Sequence, residues 1–415
     1  MINKTLQTHN KKDKMSELYK KFVAINDELN TILFEREEFI EGISLAILAK
    51  TNILTLGPAG TAKSYAVEQW TKRIKDANFF DILINRFTTP EEILGPVSFD
   101  GLRNDRHVRV TDQMLPTAHL AFLDEIFKAS SGILNALLRL ANERTFKNGP
   151  DKIKVPLYTM IGASNEIPDE EDNLDAFYDR FLLKYHVNYI QEDSVFAQML
   201  YTEENPLVQN IITQDDITLA QNEVTRITLP KDLLVKLVDL SRHLKSQGII
   251  ASDRTYKKAI PILKAKAWMS GHNEIIDEDL EILKHIIWKD PDDRKKAEKF
   301  VLEFINPEKH KMIEIWDACV LIAEDLDKRS SENEKERGSR SIEVLTKINS
   351  GRETIKKLEQ DMRRSGRDTK DALLYLGKLA KLHTKISMIA TGMTWMFEQT
   401  PQMDLNDFDP KTSIR

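Results

Sequence analysis

The chain has 415 residues, 41% of them hydrophobic and 30% charged, with a net charge of −6. That is enough chain for two or three packed domains, and the acidic balance gives no general pull toward nucleic acid or an anionic membrane. Cys319 is the single cysteine, which excludes an internal disulfide and any thiolate-built metal site.

The leading MINKTLQTHNKKDK is polar and lysine-rich, without the apolar core of a secretory signal, and no run approaches the length of a membrane span. A cytoplasmic protein is the expectation. From Ser16 to about Lys50 apolar residues recur at three and four (Leu18, Phe22, Ile25, Leu29, then Phe39, Ile43, Ala46, Ile47), which predicts two amphipathic helices. TNILTL then reads as a strand feeding GPAGTAKS, Gly57 to Ser64. A glycine loop that opens into a helix leaves several backbone N–H groups aimed at one point, which suits phosphate. Gly57 and Gly60 permit close approach, Lys63 has the reach for the β and γ phosphates, and the Ser64 hydroxyl suits Mg²⁺. Ala62 stands where the usual loop has its last glycine. Taken in isolation, such a match also describes an ordinary strand–turn–helix corner with a surface lysine.

Further along, DILINRF, HLAFLDE and YTMIGAS are short apolar runs separated by helix-like or turn-rich segments, the alternation of a parallel sheet with helices packed on it. The region to about Ile190 therefore reads as one α/β domain. Two insertions in it, Gly95 to Gln113 and Thr145 to Leu157, carry turn chemistry between β-rich flanks and read as hairpins. Beyond Ile190 the pattern turns helical, with Ser252 placed as an N-cap. From Pro307 three long helical patterns predict a three-helix bundle. Its last helix carries a seam of Ala372, Leu376, Leu379, His383, Ile386, Ala390, Met393 and Phe397. His383 reads as tolerated at a packing edge, because no second metal-binding side chain is placed beside it, and Lys328 to Ser341 reads as a solvated linker. The expected plan is a tail and helix over 1–32, an α/β nucleotide-binding domain over 33–190, a helical lid over 191–306 and the bundle over 307–415.

If GPAGTAKS holds a nucleoside triphosphate, the sheet should supply an acid for Mg²⁺ at the end of another strand. HLAFLDE supplies it: Asp124 is placed to hold the hydrated metal and Glu125 to polarise a water. Asn165, ending YTMIGASN, is the candidate to hold that water or the γ phosphate from a neighbouring strand. Separately these are common strand ends; in combination with the loop they form a site.

The order GPAGTAKS, RFTTPEEILGP, FLDEIFKASSGILNALLRLANER, GASNEIP, DAFYDRF and SDRTYKKAIPILKAKA resembles the MoxR branch of the AAA+ ATPases, most closely the regulatory ATPase variant A (RavA) type. The likeness covers roughly Leu33 to Trp288, and in that family the alanine at position 62 is normal. It implies an AAA+ P-loop core with a parallel sheet, an all-α lid and ATP hydrolysis with Mg²⁺. Carried over by position, Gly57, Pro58, Ala59, Gly60, Thr61, Ala62, Lys63, Ser64 and Tyr65 would bind nucleotide, and Ser64 and Asp124 would hold the metal. Glu125 would activate water, Asn165 would be the first sensor, and Arg180 the finger that reaches the γ phosphate of the adjacent subunit. Arg254 would be the second sensor on the lid, and Phe34 and Glu35 would border adenine.

The resemblance further implies a ring, expected to be a hexamer, that remodels protein partners in a chaperone-like role together with a von Willebrand factor A domain protein. One departure matters: the closest type carries a small extra domain within its C-terminal helices, and here only the charged segment around Ser330 to Ser341 stands in that place. The two insertions match the family's helix-2 insert and the hairpin before the first sensor. Arg103, Arg106, His107 and Arg109 make the first basic, to grip an acidic partner or simply to be a solvated loop. Two other functions stay open at this point, a nucleic-acid-translocating motor and a nucleotide-gated assembly scaffold. The acidic balance speaks against the former and Glu125 against the latter.

Overall fold

The computed structural model describes residues 17–165, 180–202, 207–289, 291–328, 334–367 and 369–390. Its strands in chain order are β1 (Ile53–Leu56), β2 (Phe79–Leu83), β3 (Leu120–Asp124), β4 (Thr145–Asn148), β5 (Asp151–Lys154), β6 (Thr159–Ser164) and β7 (Leu183–His186). Five of them form one sheet in the order β2-β3-β6-β1-β7, and every pairing is parallel. β1 and β6 are buried along their whole length, as continuous apolar runs in a covered parallel sheet should be. Because the chain order jumps between β3, β6 and β1, their carboxyl ends border a crevice of the kind in which open parallel sheets bind ligands.

The two expected N-terminal helices are α1 (Leu18–Asn30) and α2 (Glu37–Ala49). α2 is buried on nearly every side, because it lies between the sheet and helices α8 (Gln214–Arg226) and α10 (Asp253–Met269). Ser252 caps α10, its hydroxyl accepting the Thr255 N–H. The remaining α-helices among the described residues of this part are α3 (Lys63–Lys72), α4 (Pro90–Leu94), α5 (Phe99–Arg103), α6 (Ser131–Glu143), α7 (Asp193–Tyr201) and α9 (Lys231–Ser246). The 3-10 segment Asp277–His285 sits against α10 and β7. There Lys284 Nζ is 2.7 Å from Glu38 and 3.3 Å from Glu281, while the His285 ring lies 4.4 Å from that of Tyr185. Burial pushes His285 down to about 4, with Glu38 opposing.

The chain divides into two compact units, Met1–Val301 and Leu302–Arg415. In the second, α12 (Pro307–Lys328), α13 (Glu334–Arg364) and α14 (Lys370–Ala390) bury a shared apolar core that includes Met312, Ile348, Ile355, Leu379 and Ile386. A further helix, α11 (Arg294–Ile305), lies at the division. The seam residues Ala372, Leu379 and Ile386 are fully buried, whereas His383 is half-buried with Nδ1 3.4 Å from the Ser387 hydroxyl. Met393 and Phe397 lie outside the described residues.

Two expectations need correction, and one strand was missed. The segment read as a linker is helical from Glu334, because its glutamates, lysines and arginines are good helix formers whose charge does not oppose a solvated helix face. Gly95 to Gln113 is not a hairpin. α5 fills its middle, capped by the Ser98 hydroxyl on the Gly101 N–H, and only a narrow ladder of Ser98 with Val108 and Val110 with Pro96 closes its base. β7 was not foreseen, since FLLKYHV is a single apolar run without turn signals on both sides. Thr145 to Leu157 does form the expected hairpin, β4 with β5. Its Asn148 side chain both accepts from and donates to the Arg109 backbone, which joins the two insertions. No helix among the described residues is long and apolar enough to cross a membrane.

Candidate nucleotide site

β1 delivers the chain to Gly57, whose φ of +136° lies in the region that favours glycine. A Cβ there would overlap the Val187 carbonyl, and the Val187 N–H is bonded to Leu56 at 2.8 Å, so β7 presses directly on the loop. Gly60, at φ +76°, faces open space. Ala62 takes the left-handed N-cap position of α3 and offers no side-chain acceptor, so the first turn of α3 has no side-chain cap. This is the arrangement that receives an anion at a helix N-terminus.

Lys63 is 6% exposed, and its ammonium curls into its own loop, donating to the carbonyls of Gly57 at 2.8 Å and Pro58 at 2.7 Å. Burial lowers its pKa, while Asp124 and Glu125 act in the opposite direction. Those two carboxylates sit at the end of β3. Asp124 Oδ1 accepts the Glu125 N–H at 3.0 Å, and Glu125 adopts a left-handed backbone with φ +53°. Asn165, at the end of β6, donates its Nδ2 to Glu125 Oε1 at 2.8 Å, and Lys128 Nζ lies 3.4 Å from Oε2. The ends of β1, β3 and β6 thus bring Lys63, Asp124, Glu125 and Asn165 together. Ser64 is in the first turn of α3 beside them. A carboxylate and a hydroxyl at this place are the hard oxygen donors that Mg²⁺ takes.

On the other side of the loop is a cavity of about 650 Å³, lined by Phe34, Arg36, Gly60, Thr61, Ala62, Tyr65, Tyr189, Phe196 and Met199 among others. Its aromatic and aliphatic walls suit a flat heterocycle, and the loop connects it to the phosphate side. Phe34 and Tyr65, both assigned to nucleotide in the sequence, line this cavity. Glu35 does not line this cavity: its carboxylate accepts the backbone N–H groups of Gln191 at 2.8 Å and Glu192 at 3.0 Å.

Arg36 was missed, since a lone arginine after Phe34-Glu35 carries no pattern. It is 7% exposed and donates to the carbonyls of Thr61 at 3.0 Å, Glu35 at 2.7 Å and Asn188 at 2.6 Å. Burial lowers its pKa, and Glu35 and Glu37 oppose that shift.

Two predicted residues lie apart from this group. Arg254 is exposed in the first turn of α10 and does not line the cavity. Arg180 precedes β7, and the pairing of Leu183 with Ile53 puts it at the amino end of the sheet. Gly57 lies beyond the carboxyl end, so the two are about 20 Å apart at ~3.3 Å per residue.

The description "MoxR domain in the MoxR-vWA-beta-propeller ternary systems" matches residues 20–228, and an AAA lid domain matches 232–301. An uncharacterised protein of Methanocaldococcus jannaschii is 39% identical over 338 residues, spanning 80% of this chain and 89% of its own length. The chain belongs to the MoxR family of AAA+ ATPases. Chaperone MoxR1 of Mycobacterium tuberculosis is 24% identical over 62% of this chain and 73% of its own. A crystal structure of a candidate ATPase from Cytophaga hutchinsonii superposes with a TM-score of 0.58 at 18% identity, covering 70% of this chain and 95% of that one. That likeness carries the AAA+ fold: a parallel-sheet core followed by a helical lid.

Proposed function

We propose that this MoxR protein hydrolyses ATP with Mg²⁺ at the loop of Gly57 to Ser64, in a ring of identical copies that remodels a protein partner. The observation that carries the reading is the convergence of a buried lysine with Asp124, Glu125 and Asn165 at one end of the sheet. Lys63 would exchange its loop carbonyls for phosphate oxygens. Ser64 and Asp124 would hold the metal, which when bound neutralises charge on the phosphates. Glu125 would take the proton of the attacking water, with Asn165 fixing its carboxylate.

Arg180 lies too far from Lys63 of its own chain to act there, which supports a finger supplied to the next copy; such a cation accelerates phosphoryl transfer by about 10³ or more. A hexamer is the assembly the resemblance implies. The name of the matched family supports a von Willebrand factor A domain partner, and the name of the mycobacterial relative supports a chaperone-like role. The closer likeness to regulatory ATPase variant A rests on the sequence motifs. The basic residues of the joined insertions, Arg103, Arg106 and His107, are exposed and are offered as a grip on that partner. Arg254 is proposed to reach nucleotide through lid movement.

Replacing Glu125 with Gln tests the assignment. Nucleotide binding and assembly should persist while phosphate release falls by about 100-fold or more. Unchanged turnover would remove Glu125 from the role of base.

A further inference from the structure

Asn52 precedes β1, is 3% exposed, and bonds three segments at the amino end of the sheet through one carboxamide. Its Oδ1 accepts the Met160 N–H of β6 at 3.3 Å and Arg144 Nη2 at 3.1 Å, and its Nδ2 donates to the Arg180 carbonyl at 3.2 Å. The two donors at the oxygen decide which way the amide faces, because a flipped amide would set its own N–H groups against theirs. Arg144 is the unusual partner. It follows α6 with a left-handed φ of +52°, and burial lowers its pKa to about 10 with no carboxylate opposing among the described residues. Besides Asn52, its Nη2 reaches only the Lys50 and Tyr158 carbonyls, each at 3.3 Å. A cation buried without a counter-charge weakens a fold, and what this one secures is the orientation of a single amide.

At the far end of this network is Arg180. Phe181, the next residue, is fully buried, and a Cβ added to Gly162 of β6 would lie 3.2 Å from its ring. The Arg180 main chain is therefore held by the buried ring that follows it and by the Asn52 amide at its carbonyl, while the residue itself is only half-buried. We propose that Asn52 is a positioning residue for hydrolysis in the next copy: its amide, oriented by Arg144, fixes the backbone from which Arg180 reaches out. The inference rests on the reading of Arg180 as a finger acting between copies, and names what aims it. A long, rotamer-rich side chain that works on another copy has only its own backbone as a fixed origin, and a misplacement of about 1 Å can cost on the order of 10²-fold in rate. Asn52 and Gly57 lie beyond opposite ends of β1, about 16 Å apart at ~3.3 Å per residue, so the amide does not touch the phosphate loop of its own copy.

Mixed rings of full-length variants test this through Asn52→Asp, which keeps the acceptor for Met160 and Arg144 and loses the donor to Arg180. The reference is Lys63→Ala mixed with Arg180→Ala, where only the Lys63→Ala copy supplies a finger and only the Arg180→Ala copy supplies a phosphate cradle. Asn52→Asp added to the finger-supplying copy should lower the recovered kcat by about tenfold and leave the KM for ATP unchanged, because the finger acts on the transition state. Added to the cradle-supplying copy, it should leave turnover at the reference value. Equal loss from both placements would reduce Asn52 to a structural role, and no loss from the first would show that the amide does not aim the finger; either result overturns the proposal. Arg144→Gln, placed in the same two copies, should give the same asymmetry, and it decides alone should Asn52→Asp fail to enter rings. A reference mixture that recovers no turnover would overturn the finger reading itself, and this proposal with it.

Discussion

At the phosphate end of the site, the working side chains leave strand ends or the loop between β1 and α3, and Lys63 and Glu125 are largely buried and bonded. At the base end, the lining comes from the turn after α1, the segment after β7 and a helix with no buried residue. The sheet holds the first end in place, whereas the second is walled in part by side chains with little protein packed behind them. Preorganised donors suit a step in which charge must be met at once.

The sharpest way to break that contrast is to compare truncations at the two ends. Lys63→Ala should lower nucleotide affinity by about 100-fold, because it removes charge-assisted bonds to phosphate, whereas Phe196→Ala should cost only about tenfold. Calorimetric titration with ADP reads both. Equal losses would mean that the two ends do not differ as described.

Rigidity at the phosphate end has a second test in Gly57→Ala. The added methyl meets the Val187 carbonyl at a φ that side chains rarely adopt, so stability should fall by about 3 kcal/mol or more in urea denaturation. A smaller loss would show that β7 gives way and that the loop is less fixed than its contacts imply.

The phosphate end was largely readable in the sequence because its residues follow apolar runs in fixed local patterns: GPAGTAKS after TNILTL, and Asp124-Glu125 closing HLAFLDE. The base end was much less so. Phe34 and Tyr65 were placed, but Arg36, Phe196 and Met199 come from separate segments that meet only in the fold, and nothing in their local pattern sets them apart. Glu35 was assigned toward adenine, together with Phe34, by the family resemblance. Its side chain turns instead to the Gln191 and Glu192 N–H groups, contacts 156 and 157 residues away along the chain. Spacing reports what shares a strand or helix face, and it is silent on such long-range anchors.

β7, which presses on the phosphate loop, also packs against the segment Asp277–His285, and that contact offers a pH test. His285 is held neutral, its pKa pushed down to about 4, among Glu38, Lys284 and Glu281. Between about pH 6.5 and 4 the unfolded chain binds a proton that the folded chain refuses, so stability should be lost as pH falls through that window. At ~1.4 kcal/mol per pKa unit the loss is up to about 3 kcal/mol. Urea midpoints at pH 7 and 5, with His285→Phe as the control that flattens the slope, check it. A slope unchanged in that variant would assign the acid sensitivity elsewhere.

The smallest effect expected is at position 62. Ala62 has a φ of +62°, where glycine is at ease, so Ala62→Gly should raise stability by about 1 kcal/mol or less and leave turnover near the parent's. Marked destabilisation would mean that the methyl group supports the cavity wall more than its backbone strain opposes it.

The central claim, that one copy supplies the phosphate cradle and another supplies Arg180, is tested most directly by mixing two inactive variants. Lys63→Ala and Arg180→Ala proteins, each with little ATPase activity alone, should recover turnover when assembled together, because mixed rings place an intact Arg180 beside an intact Lys63 site. No recovery at any mixing ratio, in rings shown to contain both variants, would contradict the account.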